Sequence, residues 1–382
     1  MQTLKKLKVL TVVGTRPEII RLSSIINRLD NSDSIDHYLI HTGQNYDNNL
    51  NEIFFTDLNL KKPDYYLNAS KKSSVVTIGD ILIKIDKILD EIIPDAFIVL
   101  GDTNSCLCSI AAKKKKIPIF HLEAGNRCFD MRVPEESNRK IVDHIADINL
   151  TYSDIAREYL IREGLNPNQI IKIGSPMFEV ISKHKHKILK SNILNKLNIE
   201  SQKYILVSCH REENVDNENS FNKIISSLNK LAEYYKYPII FSTHPRTKKI
   251  IQSRKPKMNK LIRLIEPFGF IDYNNLQINS LVVLSDSGTI SEESSILNFK
   301  AINIRESHER PEAMEEASVV MSGLSFERIF QSIESIKDQD TGEKRNILLV
   351  NDYNYPNVSI KVERILISYI DYVNRVVWQK ES

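Results

Sequence analysis

The chain has 382 residues, 41% of them hydrophobic and 26% charged, enough for two buried cores and too apolar for a disordered polymer. With 52 basic side chains against 49 acidic ones the net charge is +3, too balanced for the electrostatic footprint of a nucleic-acid binder. No apolar run reaches membrane-spanning length, the first residues are wrongly flanked for a secretory signal, and Cys106, Cys108, Cys128 and Cys209 form no C-x-x-C pair, so free thiols in a reducing cytoplasm are expected.

In chain order, short apolar strands are expected at 9–13, 37–42, 96–100, 117–121 and 148–151. The helices between them carry apolar side chains at helical spacing, as in Ile19, Ile20, Leu22, Ile25 and Ile26, or Ile78, Ile81, Ile83, Ile85 and Ile88. Such alternation is the signature of a parallel sheet covered on both faces. The run Lys113-Lys114-Lys115-Lys116 reads as the solvated end of a helix. A basic stretch at 183–196 reads as a connector plus a surface helix. A second strand series follows at 204–208, 239–243, 262–264, 281–285 and 301–304, with a helix at 221–234. The segment 360–377 has Val362, Ile365, Leu366, Tyr369 and Val373 at helical spacing. The expected architecture is α/β: two Rossmann-like doubly wound domains facing across a cleft, at 1–178 and 179–360, with 361–382 returning to the first.

In open parallel sheets, ligands bind beyond the carboxyl ends of the strands. The polar residues ending these strands are Gly14-Thr15-Arg16, Gly43-Gln44, Gly101-Asp102, Glu123 with Arg127, His210-Arg211, His244 and Asp286-Ser287-Gly288, all expected at one crevice. Arg16 opens a helix whose first turn suits Pro17; it is either a ligand contact or a surface arginine at an ordinary turn. No G-x-G-x-x-G occurs, which argues against NAD. Asp102, Glu123 and Glu135 are three carboxylates suited to removing and returning a proton, since crowding holds one protonated while another stays ionised. Their bland alternatives are a helix cap for Asp102 and a favourable helix first turn for Glu135-Glu136.

His210, in His210-Arg211-Glu212-Glu213-Asn214, is a proton carrier, a phosphate contact or part of a solvated loop, and His244-Pro245-Arg246 reads similarly. His121 reads as structural. In the segment from Asp286 to Glu293, Ser287, Gly288 and Thr289 leave backbone N–H groups and a helix dipole free for a diphosphate, with Glu293 deeper toward a ribose diol; an ordinary helix cap would look the same. Arg305, His308, Glu309 and Arg310 supply complementary charge.

Taken together, Gly14-Thr15-Arg16-Pro17-Glu18, Gly101-Asp102-Thr103, His121-Leu122-Glu123-Ala124-Gly125, Pro134-Glu135-Glu136-Ser137-Asn138-Arg139, His210-Arg211-Glu212-Glu213-Asn214, Asp286-Ser287-Gly288 and Glu309-Arg310-Pro311-Glu312-Ala313 resemble the non-hydrolysing UDP-N-acetylglucosamine 2-epimerase family over nearly the whole chain. The resemblance implies a GT-B-like fold, a UDP-linked 2-acetamido sugar as substrate, no cofactor or metal, no nucleic-acid or membrane partner, and a homodimer. It implies elimination of UDP across C1–C2 and its re-addition, with Asp102, Glu123 and Glu135 as acid/base groups and His210 assisting the leaving group. Arg16, Arg21, Gln44, Arg127, Arg139, His244, Phe268, Ser287, Gly288, Thr289, Glu293 and Arg310 are implied substrate contacts. Two departures stand out. The stretch Asn126-Arg127-Cys128-Phe129-Asp130 replaces the glucosamine enzymes' longer loop and is similar to the subgroup that makes UDP-N-acetyl-L-fucosamine for capsule or O-antigen from UDP-2-acetamido-2,6-dideoxy-L-talose; Phe129 is expected to cover the 6-methyl group. After Gln44, Asn45-Tyr46-Asp47 replaces a pattern tied to activation by a second sugar nucleotide. A glycosyltransferase or a silent UDP-sugar sensor would share the architecture, but three carboxylates favour proton chemistry.

Overall fold

The computed structural model describes residues 5–43, 48–69, 72–131 and 133–380. The chain forms two compact units, Met1–Ser182 with Tyr355–Ser382, and Lys183–Asn354.

In the first unit, β1 (Leu7–Val13), β2 (Ile35–His41), β3 (Tyr65–Tyr66), β4 (Ala96–Leu100), β5 (Ile119–Ala124), β6 (Ile148–Thr151) and β7 (Ile170–Lys172) form a sheet of order β3-β2-β1-β4-β5-β6-β7. In the second, β8 (Ile205–Ser208), β9 (Ile239–Ser242), β10 (Ile262–Ile265), β11 (Val282–Ser285), β12 (Ala301–Asn303) and β13 (Val320–Met321) are ordered β10-β9-β8-β11-β12-β13. Every neighbouring pair is parallel. Both orders reverse once, between β1 and β4 and between β8 and β11, which is the doubly wound Rossmann pattern with its ligand-binding switch point.

The ten strands expected from sequence are present, most with ends moved by one or two residues. β5 starts after Pro118, which has no N–H to give the ladder. The strands β3, β7 and β13 were not foreseen; two or three residues at or near a sheet edge leave too little period for sequence to register. Over the basic stretch two helices form, Met177–Leu189 and Ile193–Leu197.

The cores follow from burial on both sheet faces. β4 and β5 are buried throughout, and Leu10, Val12, Phe97, Val99 and Ile119 meet Ile81, Ile85 and Leu89 of the helix Ser74–Ile92. In the second unit Val207, Phe241, Val282 and Leu284 meet Phe221, Ile224 and Leu228 of the helix Glu218–Tyr235. Burying one such side chain stabilises the fold by roughly 1.5–3 kcal/mol.

The last helix, Val358–Val376, belongs to the first unit and lies against the helix Arg16–Asp30. Arg28 Nε pairs with Glu363 at 2.6 Å, and Glu179 accepts from both the N–H (2.9 Å) and the hydroxyl (2.5 Å) of Ser359. At the point of return the Tyr355 ring lies on Gly174, whose φ is +84°; any Cβ there would collide with the ring. Lys361 sits 3.9 Å from the ring centroid. Among the described residues no helix is long and apolar enough to cross a membrane. Gly174→Ala is expected to lower stability by about 2 kcal/mol through combined backbone strain and overpacking; thermal unfolding checks this, and an unchanged midpoint would show that Tyr355 moves aside freely.

Candidate active site

At the switch point of the first unit, the chain leaves β1 through Gly14 and Thr15 into the helix Arg16–Asp30. The Glu18 side chain reaches back to the Thr15 N–H, the return half of a capping box. Glu18 is 2% exposed; its Oε2 accepts from Gly14 N (2.5 Å) and Thr15 N (2.8 Å), while its Oε1 accepts from the Thr103 hydroxyl (2.5 Å) on the loop after β4. Burial pushes this carboxyl up to about 7, against the pull of those hydrogen bonds, and the neighbouring Asp102 charge pushes further.

Asp102 takes Arg139 Nε and Nη2 on its Oδ2, each at 2.6 Å, and its carbonyl accepts from Asn138 Nδ2 at 2.8 Å. Both partners come from the helix Glu135–Ile145. β5 shifts register between Leu122 and Ala124, and Glu123 at the bulge has φ +63°, a left-handed conformation uncommon for a residue with a side chain. Its carboxylate is buried, with both oxygens on Arg21 Nη1 (3.0 and 2.9 Å) and Oε1 also on Asn126 Nδ2 (3.2 Å). A Cβ built on Gly101 would lie 3.5 Å from Glu123 Oε2, so this carboxylate sits over the residue preceding Asp102. Asp102 and Glu123 are thus neighbours, each on its own arginine.

Beneath them lies a buried chain of charges. Asp143 accepts from His121 Nδ1 (2.9 Å), from Arg127 Nη1 (2.7 Å) and from Gly125 N (3.2 Å), and His121 Nε2 reaches the Gly101 carbonyl at 2.8 Å. Burial raises the Asp143 carboxyl, but His121 and Arg127 outweigh it and hold it below the usual carboxylate range. Gly125 has φ +81°, and a Cβ there would collide with the Ala156 carbonyl.

The family resemblance implies Arg127 as a substrate contact; in the structure its side chain lies inside the fold. Its guanidinium is buried and engaged on every side, by Asp143, by the Asn126 carbonyl (2.7 Å) and by both oxygens of Glu163 (2.8 and 2.7 Å), so it braces the loop that carries Glu123. Of the Glu135-Glu136 pair, Glu135 is half-buried in the helix first turn, while Glu136 is fully buried and holds Arg139 (2.9 Å) and the N–H of Cys128 (3.2 Å). Arg16 is half-buried with its guanidinium 5.9 Å from the Phe54 ring centroid. Gln44, with Asn45, Tyr46 and Asp47, lies outside the described residues. Phe129 has φ +55°, meets Tyr159 edge-on at 5.2 Å and is 68% exposed.

In the second unit the switch point is spanned by Asp286, which is fully buried and accepts from Cys209 Sγ (3.0 Å), His210 N (3.0 Å), Arg211 N (2.9 Å) and Asn214 Nδ2 (3.1 Å). Burial raises its carboxyl, but the His210 charge and these donors outweigh it and leave it below the usual range. The His210 ring is partly exposed, 5.4 Å from that of His244, whose Nδ1 accepts from Arg246 N (3.3 Å) at the start of the helix Pro245–Arg254. Ser287 and Thr289 hydroxyls lie 3.0 Å apart, and Gly288 is the N-cap of the helix Thr289–Leu297. Glu293 accepts from Gln277 Nε2 at 2.6 Å, and Arg310 Nη2 lies 3.5 Å from Glu292. Phe268 is half-buried just before the helix Phe270–Asn279. Burial and the Arg305 charge push the His308 imidazole down.

Sequence reasoning assigned no role to Glu18 or Asp143 and gave Glu136 only a place in a helix first turn. Glu18 left a signal, the Thr15-x-x-Glu18 spacing of a capping box.

Two doubly wound parallel sheets, each with its polar loops gathered at the switch point, define the double-Rossmann, GT-B-like class. The sequence pattern of the UDP-N-acetylglucosamine 2-epimerase family matches residues 27–367. A UDP-N-acetylglucosamine 2-epimerase of Methanocaldococcus jannaschii is 38% identical over 338 residues, covering 86% of this chain and 92% of its own. The UDP-2,3-diacetamido-2,3-dideoxy-D-glucuronate 2-epimerase of Pseudomonas aeruginosa is 30% identical over 330 residues, covering 85% and 91%. The structure of UDP-N-acetylglucosamine 2-epimerase from Rickettsia bellii aligns at TM-score 0.90 and 47% identity, over 98% of this chain and 100% of that one. The chain belongs to the UDP-N-acetylglucosamine 2-epimerase family and is an isomerase.

Two outcomes follow from the buried carboxylates. Asp143→Asn weakens the partner of a buried guanidinium and is expected to cost about 3 kcal/mol, measured by denaturant unfolding. For Glu18 the folded pKa of about 7 lies above the 4.5 of an ordinary glutamate, so its contribution is fully present below pH 4.5 and is lost as pH rises through 7. Glu18→Gln removes that loss, so its stability relative to the unsubstituted protein is expected to improve by about 3 kcal/mol between pH 4 and pH 8; a pH-independent difference in unfolding free energy would contradict it.

Proposed function

We propose that this protein inverts carbon 2 of a UDP-linked 2-acetamido sugar, with UDP-N-acetylglucosamine interconverted with UDP-N-acetylmannosamine as the leading substrate pair. The observation that carries the reading is the adjacent pair Asp102 and Glu123 at the ends of β4 and β5, each on an arginine, in a chain of this family. One carboxylate removes the C2 proton as the C1–O bond to UDP breaks, leaving a C1=C2 double bond. A carboxyl group on the opposite face returns a proton to C2, and UDP re-adds to C1. The groups available are Asp102, Glu123 and the half-buried Glu135. The cycle has no net change of oxidation level and calls for no nicotinamide.

Arg21 and Arg139 orient the two carboxylates. In the second unit, the Thr289–Leu297 helix start with Ser287, Gly288 and Thr289 would hold the diphosphate, His210 would assist the leaving group with His244 as a further substrate contact, and Glu293 would take the ribose. Arg16, Arg310 and Phe268 complete the proposed contacts, and the reading takes the enzyme as a cytoplasmic homodimer.

A second reading, UDP-2-acetamido-2,6-dideoxy-L-talose to UDP-N-acetyl-L-fucosamine for capsule or O-antigen, is favoured by the altered 126–130 loop and the exposed Phe129 ring, an apolar surface for a 6-methyl group. The relatives described above are named for N-acetylglucosamine or a diacetamido-glucuronate, which ranks the glucosamine nucleotide first. Proton NMR in deuterated water with each nucleotide separately decides the question. Exchange and inversion at C2 of UDP-N-acetylglucosamine is the expected result. Turnover of the talose derivative alone would move the assignment to the second reading, and silence with both would refute epimerase activity.

A further inference from the structure

The capping box of the helix Arg16–Asp30 needs only one oxygen of Glu18. Its Oε2 already serves the N–H groups of Gly14 and Thr15, as an N-terminal cap requires. The other oxygen is turned away from its own helix, onto the Thr103 hydroxyl on the far side of the switch point, 85 residues along the chain. Thr103 is held from the opposite side too. Its Oγ1 accepts from Ser105 N (3.2 Å) and its carbonyl from Cys106 N (3.0 Å), fixing the 3-10 turn Asn104–Cys108. Asp102 is the residue immediately before.

We propose that Glu18 is a positioning residue for Asp102: through the Thr103 hydroxyl it staples the turn that leads to Arg16 to the loop that carries Asp102, fixing the carboxylate's place relative to the substrate. The Asp102 backbone is then set from two directions, by Glu18 through Thr103 and by Asn138 on its own carbonyl. The side chain's contact with Arg139 sets its rotamer but leaves the loop's approach to β1 open; the staple supplies that. The inference rests on the acid/base role proposed for Asp102.

The test uses full-length protein and UDP-N-acetylglucosamine, or the talose nucleotide if that is the one turned over, with C2 exchange followed by NMR. Thr103→Val, close in shape but without the hydroxyl, is expected to lower kcat and C2 exchange about 10- to 100-fold, the effect of a small misplacement of a reacting group. KM should stay within about threefold and UDP affinity should be unchanged. Thr103→Ser should recover kcat to within about threefold of the unsubstituted enzyme. Combining Glu18→Ala with Thr103→Val should cost clearly less than the sum of the two, because they share the Glu18–Thr103 contact, although Glu18→Ala also frees the N–H groups of Gly14 and Thr15 and Thr103→Val that of Ser105. A staple that only holds the fold would lower the unfolding midpoint and leave kcat per folded enzyme unchanged, and that result overturns the inference. So does a rise in KM at constant kcat, or full additivity of the two substitutions. Silence of the unsubstituted protein with both nucleotides defeats the epimerase reading and this inference with it, whereas a working enzyme indifferent to Thr103→Val defeats the inference alone.

Discussion

A single ionised carboxylate, Asp143, sits where the first unit could least tolerate an unpartnered charge. It is fully buried, so its presence is stable only because His121, Arg127 and the Gly125 N–H fill its oxygens. Through His121 it fixes the Gly101 carbonyl, and through Gly125 and Arg127 it fixes the loop after β5. The left-handed conformation of Glu123 lies between these anchors. A strained residue persists only where its surroundings over-determine it, and here the determination runs through one aspartate.

The two units solve the same problem with opposite electrostatics. Each has a buried carboxyl across its switch point, Glu18 between the loops after β1 and β4 and Asp286 between those after β8 and β11. Asp286 faces His210, two backbone N–H groups, an amide and a thiol, and is held below the usual carboxylate range. Glu18 faces neutral donors and the like charge of Asp102, and burial carries it up to about 7. One unit therefore has a permanently charged clasp and the other a clasp that titrates near neutrality.

Much of this was legible in the sequence because a parallel sheet writes its central strands as short apolar runs and its ligand loops as the polar residues that end them. Asp102, Glu123, His210 and Asp286 were found that way. The edges were not legible, since Tyr65-Tyr66 or Val320-Met321 offer no period. The burial of Arg127 was not legible because its three partners, Asp143, Glu163 and the Asn126 carbonyl, are brought together by folding; a cation after a strand looks alike whether it faces solvent or the interior. Glu18 and Asp143 were hidden for the same reason, as their decisive contacts lie 85 and 22 residues away.

The return of the chain at Tyr355 makes the first unit discontinuous and the second an uninterrupted insertion within it. Synthesis from the ribosome therefore completes the inserted unit before the host unit has its last helix. Until Val358–Val376 emerges, the apolar face of the helix Arg16–Asp30 lacks its cover of Val362, Leu366, Ile370 and Val373. A nascent polypeptide would carry the loops of Asp102 and Glu123 on an unfinished host, so the order of translation delays completion of the first unit until Val358–Val376 has been made.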